Sequence, residues 1–193
     1  MVSGYLNSIK KRALDVTLVV VTLPLWAPLL LLSCVLVLVS SGFPVIFWSQ
    51  RVGKKGVLFN LPKFRTLASD TPLMSTEELG RAGVNYTPFG RLLRRSSLDE
   101  LPQLFCVLTG NMSLVGPRPA LPSQTYLNNL REQVGVDRAT PGITGWAQIN
   151  GRDELSDDQK LLFDAEYVAE ASLWKDVMIL WRTAGWSNRG VSH

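Results

Sequence analysis

Between Val16 and Val39 the chain runs for 24 residues without a formal charge, long enough for a helix to cross the hydrocarbon of a bilayer. Pro24 and Pro28 fall in the middle of this run, where each removes a backbone donor and bends a helix. Lys10, Lys11 and Arg12 precede the run, and Arg51, Lys54 and Lys55 follow it. The positive-inside rule is therefore met best when both ends face the cytoplasm. The expected structure is a re-entrant membrane helical hairpin over residues 1–42, kinked at Pro24; a simple span is the alternative. A cleaved signal peptide fits poorly, because the apolar stretch is too long and no small-residue cleavage site precedes Ser40.

The 193 residues suffice for one domain with a proper core, and too few remain for two once a membrane segment is subtracted. One catalytic domain is expected over 43–193. A mean hydropathy of +0.12 agrees with an apolar excess confined to the N-terminal run. The net charge of +4 suits phospholipid head groups or phosphorylated substrates, and no nucleic-acid-binding motif is present. Cys34 and Cys106 lie in apolar stretches without metal-type spacing and read as buried thiols. His193 is the only histidine and is terminal, which removes His-based triads and most zinc sites. Chemistry must come from carboxylates, Lys, Arg and an oxygen-bound metal.

Pro44 to Trp48, a basic turn from Arg51 to Gly56, and Val57 to Thr66 predict a short β hairpin. The polar, turn-rich stretch from Ala68 to Pro88 reads as a surface excursion. Gly90 to Gly110 predicts a helix with a break, its first part carrying Arg91, Arg94 and Arg95 in the pattern of a basic amphipathic helix at a head-group surface or of an ordinary solvated one. The restart at Ser97 offers two caps: Ser97 with Glu100 as capping-box partner, or Asp99 with Pro102 in the first turn. Leu104, Phe105 and Leu108 form an apolar face, and Gly110 stops the helix. Trp174, Met178 and Trp181 recur at helical spacing, which suits either a membrane interface or a core-facing stripe.

Asp99 and Glu100 are adjacent carboxylates near a helix start, where anions are favoured. An aspartate there can attack phosphorus to give an acyl phosphate, provided that a metal and cations hold the phosphate oxygens. Arg118, between Pro117 and Pro119, sits on stiffened backbone suited to bidentate phosphate recognition, or forms a plain structural turn. The glycine-rich run from Pro141 through Asn150, Gly151 and Arg152 could cradle a diphosphate or a sugar, although it is not a P-loop. Asp164 and Glu166 lie on a predicted helix from which Asp164 could serve as a metal ligand or an orienting carboxylate. Magnesium (Mg2+) needs only one or two protein oxygens beside substrate phosphates.

Taken in order, Gln50-Arg51-Val52-Gly53, Lys63-Phe64-Arg65-Thr66, Ser97 through Leu104, Gly116-Pro117-Arg118-Pro119, Pro141 through Gly145 and Asn150-Gly151-Arg152 resemble the small monotopic phosphoglycosyl transferases, the bacterial sugar transferase family that initiates glycoconjugate assembly. The resemblance runs nearly end to end, from Lys11-Arg12 to Asp176. It implies a re-entrant helix in the bacterial inner membrane and an active site on the cytoplasmic face, with a UDP-sugar as donor, polyprenyl (undecaprenyl) phosphate as acceptor and Mg2+ as cofactor. Asp99 would be the nucleophile that takes the phosphosugar and releases UMP. Glu100 would ligate the metal, with Asp164 assisting, while Lys63, Arg118 and Arg152 would hold phosphates. Two positions depart from the family pattern. Leu23 stands before Pro24 where a serine is frequent, leaving Thr22 to supply any hydroxyl, and Thr140 stands where a basic residue commonly precedes Pro141-Gly142.

The expected architecture is α+β and mostly helical: the N-terminal re-entrant membrane helical hairpin plus one interfacial catalytic domain with a short β element. It reads as the minimal catalytic unit of the family. Exposed apolar helices would be compatible with a homodimer. An N-acetylated amino sugar is preferred as the donor's sugar. Two other functions fit some of the same residues: a membrane phosphatase that hydrolyses its phospho-aspartate, and an anchored scaffold for nucleotide-sugars that would tolerate Asp99→Asn.

Overall fold

A computed structural model describes residues 2–68, 85–151 and 154–186. Arg152, His193 and most of the polar stretch after Ala68 lie outside the described residues. The N-terminal apolar run forms two helices, α1 (Ile9–Val21) and α2 (Leu23–Ser41), broken at Thr22. Pro24 is the second residue of α2, where its missing N–H costs nothing, and Pro28 sits inside α2 without ending it. The break thus falls just ahead of the prolines. Side-chain donors gather at the break: the Thr22 hydroxyl donates to Leu18 O at 2.6 Å, which also takes the Thr22 N–H, and the Trp26 indole N–H donates to Val19 O at 2.9 Å. Thr22 therefore supplies the hydroxyl that Leu23 lacks.

On α2 the buried positions Trp26, Ser33 and Val37 form a single stripe, and the opposite side exposes Leu25, Leu31, Val35 and Val39. Apolar side chains lie all round, with one stripe packed on protein and the rest left as an exposed apolar face. Among the described residues α2 is the one helix long and apolar enough to cross a membrane.

The anchor helices do not form a separate layer. Val19 and Trp26 share one core with Leu61, Cys106, Val107 and Met112, and Val37 shares another with Val45, Phe64 and Leu93. Lys11 and Arg12 are drawn into the same junction. Lys11 is buried and its Nζ donates to Asp176 Oδ2 at 2.6 Å, while Arg12 donates to the carbonyls of Val107 and Leu108. Asp15 accepts from the Ser113 hydroxyl (2.8 Å) and the Leu114 N–H (3.1 Å). These charges bolt α1 to the rest of the domain instead of standing in solvent.

The expected hairpin is β1 (Ile46–Val52) antiparallel to β2 (Leu58–Phe64), in a register running from Ile46 opposite Phe64 to Val52 opposite Leu58. Lys55 and Gly56 adopt positive φ in its basic turn. The chain resumes with α3 (Gly90–Arg95), a 3₁₀ helix (Leu98–Gln103), α4 (Leu104–Thr109) and β3 (Ser113–Val115). Next come α5 (Thr125–Val134), β4 (Gly142–Thr144), α6 (Trp146–Ile149), α7 (Asp157–Glu170) and α8 (Leu173–Trp186). On α4 the buried residues are Cys106 and Val107, whereas Phe105 is exposed and meets Trp26 edge to face. Both cysteines are free. On α8 Trp174 and Trp181 stand out at 79% and 81% exposure, so the core-facing stripe does not form and Ile179 fills the core instead.

A second β element, not expected from the sequence, pairs β3 with β4 in parallel. The glycines of the two motifs make it possible. A Cβ on Gly142 would lie 2.1 Å from Gly116 N, and one on Gly145 would lie 2.2 Å from Gly116 O. Gly116, Gly142 and Gly145 thus serve backbone-to-backbone contact, and the glycine-rich run is a packing device at these positions.

Candidate active site

The site is built on the 3₁₀ helix Leu98–Gln103. Ser97 enters it with φ 57°, in the left-handed region, and makes no side-chain cap. Neither expected cap forms, and the Glu100 carboxylate that would complete the capping box with Ser97 is taken by two cations. Lys63 Nζ from β2 and Arg118 Nη2 both donate to Glu100 Oε1 at 2.8 Å. Leu98 packs against the core around Val37 and Leu93, which turns Asp99 inward to 5% exposure.

The structure thus brings together four of the residues singled out in the sequence: Asp99, Glu100, Lys63 and Arg118. Burial drives Glu100 up, but Arg118 and Lys63 together outweigh it and hold the carboxyl well below its ordinary value. Asp99 goes the other way. Burial first and then the neighbouring Glu100 charge push it up to about 6, against the pull of Lys63, Arg94 and Arg118. Among the described residues no hydrogen bond or ion pair reaches the Asp99 carboxylate, and none reaches Glu100 Oε2.

Arg51 on β1 is a further member that the sequence reading quoted in a motif without giving it a role. Its Nε donates to Ser49 Oγ at 3.1 Å, and burial followed by repulsion from Arg118 lowers its pKa to about 10, with Glu100 opposing. Ser49 and Arg51 stand two apart on one strand face, and that alternation is the signal that marks Arg51 as inward-facing. The Val52 N–H donates to Ala120 O at 3.0 Å, which stitches β1 to the segment carrying Arg118.

Asp164 is 1% exposed and does not join Asp99 and Glu100; both of its hydrogen bonds come from Arg131 on α5. Among the described residues no three acidic, histidine or cysteine side chains gather as a metal cluster. Asp164, expected as metal ligand or orienting carboxylate, here has its carboxylate engaged by Arg131. A hard cation still fits at Glu100, where Oε2 is an unengaged oxygen donor beside the Asp99 carboxylate, because magnesium keeps several waters and takes substrate phosphates. Arg118 also borders a cavity of about 150 Å³ whose wall includes Lys55, Asn128, Arg131 and Glu132.

Residues 6–188 match the family described as bacterial sugar transferase. The chain is 42% identical over 190 residues to an undecaprenyl-phosphate glucose phosphotransferase of Komagataeibacter xylinus, covering 92% of this chain and 35% of that protein. It is 35% identical over 180 residues to a UDP-N-acetylgalactosamine-undecaprenyl-phosphate N-acetylgalactosaminephosphotransferase of Aeromonas hydrophila, covering 90% of this chain and 42% of that protein. The sugar transferase EpsL of Bacillus subtilis, whose function is uncharacterized, is 42% identical over 173 residues, with 89% of this chain and 84% of EpsL aligned. The chain therefore spans well under half the length of the first two relatives and most of the third. With the match covering nearly all of the sequence and the acidic pair set among its cations, the chain belongs to the bacterial sugar transferase family.

Proposed function

We propose that this protein transfers a sugar-1-phosphate from a UDP-sugar to polyprenyl (undecaprenyl) phosphate through a covalent intermediate on Asp99. The observation that carries this reading is the division of labour between two adjacent carboxylates, one held ionised by Lys63 and Arg118, the other buried and bonded to nothing among the described residues. In the first half-reaction an Asp99 carboxylate oxygen attacks the β-phosphorus of the donor. The bond from that phosphorus to the bridging oxygen breaks, and UMP leaves with the electron pair. In the second, an oxygen of the lipid phosphate attacks the same phosphorus, and Asp99 is released as the carboxylate. The product is a polyprenyl diphosphate sugar.

Lys63 and Arg118 blunt the repulsion between Asp99 and an incoming diphosphate, and Arg51 adds a third positive charge on the same side. Glu100 Oε2, next to Asp99, would hold Mg2+, which when bound neutralises phosphate charge. Arg152 is a further candidate phosphate contact. The names of the relatives support a UDP-sugar donor and an undecaprenyl phosphate acceptor.

The same reading sets the protein in the bacterial inner membrane, with residues 1–42 entering and leaving on the cytoplasmic side. Its support is that Asp15, before the break at Thr22, and Val37, after it, both contact the one catalytic domain. Exposed Trp174 and Trp181 on α8 suit the bilayer interface.

The test is an intact-protein mass spectrum after incubation of the solubilised enzyme with Mg2+ and a panel of UDP-sugars, acceptor omitted. The expected result is a phosphosugar adduct, absent in Asp99→Asn and chased off by polyprenyl phosphate, whose mass identifies the sugar. Turnover with acceptor but no adduct would mean direct attack by the lipid phosphate. A protein that binds UDP-sugar without any turnover would be a scaffold.

A further inference from the structure

Arg118 reaches Glu100 with its guanidinium, and its backbone is gripped from behind. Arg131 Nη1 donates to the Arg118 carbonyl oxygen at 2.9 Å, while Arg131 Nε (3.1 Å) and Nη2 donate to Asp164 Oδ2. Arg131 comes from α5 and Asp164 from α7, so the pair fastens two helices to the segment between Pro117 and Pro119. Both are buried, at 9% and 1% exposure. The flanking prolines hold Arg118 in extended backbone, but they leave open where that strap lies against the domain. The planar guanidinium of Arg131 can serve a carboxylate and a carbonyl at once in a fixed geometry, which an ammonium cannot do. A buried ion pair contributes little net stability, since desolvation offsets its attraction. What this pair adds is a fixed direction for Arg118.

We propose that Arg131, locked by Asp164, is a positioning residue that holds the Arg118 backbone so that the Arg118 side chain meets Glu100 and the donor diphosphate together. The proposal rests on the transferase reading for its substrate, and on the hydrogen bonds alone for its geometry.

A double-mutant cycle between Arg131 and Arg118, on the full chain in nanodiscs, tests it through UMP release. Arg131→Ala is expected to lower kcat/KM for the donor at least tenfold in the wild-type background and less than twofold in an Arg118→Ala background. Arg131→Lys, which keeps the charge and loses the fork, is expected to behave like Arg131→Ala. Equal losses in both backgrounds, or full activity in folded Arg131→Ala, would overturn the proposal. If Arg131→Ala does not fold, the near-isosteric Asp164→Asn replaces it in the cycle under the same criteria. Its dependence on Mg2+ concentration must stay that of the wild type, since an increased metal requirement would make Asp164 a ligand and overturn the positioning role. Calorimetric affinity for pyrophosphate reads the same coupling without turnover. A wild type that binds pyrophosphate, shows the coupling and releases no UMP would refute the transferase reading and leave the positioning role standing; one that binds no pyrophosphate and releases no UMP would refute both.

Discussion

Glu100 Oε1 receives Lys63 and Arg118 at 2.8 Å each, while no hydrogen bond among the described residues reaches the carboxylate of Asp99 next to it. Two neighbouring acids of nearly equal intrinsic acidity are thereby pushed apart, one fixed as an anion and the other poised near neutrality. An attacking carboxylate must be ionised. With Asp99 at about 6, kcat/KM for the donor is expected to fall about tenfold for each pH unit below 6 and to level off above it. A pH profile of UMP release checks this, and a rate flat down to pH 4.5 would remove Asp99 as the titrating nucleophile.

The same elevation makes Asp99 a burden on folding. Its pKa rises from 3.8 to about 6 in the native protein, so the folded state binds the proton more tightly than the unfolded chain does. That favours the fold below pH 3.8, and the advantage is lost as pH rises through 6. The amide introduced by Asp99→Asn carries no such charge, so this variant is expected to exceed the wild type in stability by up to about 3 kcal/mol at pH 8 and to match it near pH 4. Denaturation of both proteins at the two pH values measures the difference, and an Asp99→Asn variant no more stable at pH 8 contradicts it.

Much of this site was legible in the sequence because its parts are local. Asp99 and Glu100 are adjacent, Arg118 is framed by prolines, and the hairpin carrying Lys63 has a basic turn between two apolar runs. What stayed hidden depends on contacts across the fold. Lys11 read as a flanking charge, and nothing near it foretells Asp176, 165 positions away. Asp164 read equally as ligand or orienter, because its partner Arg131 is 33 positions off. A faint signal did exist: Arg131 falls four residues after Leu127, on the buried face of α5. The parallel pairing of β3 with β4 was missed because each strand has only three residues, too few to show alternation.

Glycine substitutions separate packing from conformational freedom. Gly142→Ala would set a Cβ 2.1 Å from Gly116 N and 2.4 Å from Thr144 O, both backbone atoms that cannot swing away. It is expected to cost about 3 kcal/mol or more and to prevent accumulation of folded protein. Gly185→Ala, in α8 with nothing within 4 Å, is expected to stabilise by about 0.5–1 kcal/mol. The folded yield of Gly142→Ala and the melting temperature of Gly185→Ala, each against the wild type, give the contrast.

Asp176 is fully buried and accepts from Lys11 Nζ (2.6 Å), Tyr5 OH (3.0 Å) and Tyr167 OH (2.8 Å). Burial, reinforced by Asp176, pushes both phenols above their ordinary value, so neither relieves the carboxylate by giving up its proton near neutral pH. Asp176→Ala strands the Lys11 ammonium with Asp15 at 3.5 Å as its remaining partner and is expected to cost about 3–5 kcal/mol. Adding Lys11→Met should recover part of that loss, because the stranded charge is gone. Urea titrations of the single and double variants in mild detergent read both effects.

The sharing of cores between the anchor and the catalytic part settles how this protein can be handled. Trimming at Gly42 would strip Val19, Trp26 and Val37 from Leu61, Val107, Met112, Phe64 and Leu93, and would leave Asp176 without its ammonium. The hydrophobic helices are part of the interior that shapes the acidic pair, so a water-soluble fragment would be a different and less ordered object. Purification must keep the apolar helices and the rest of the chain together as one piece.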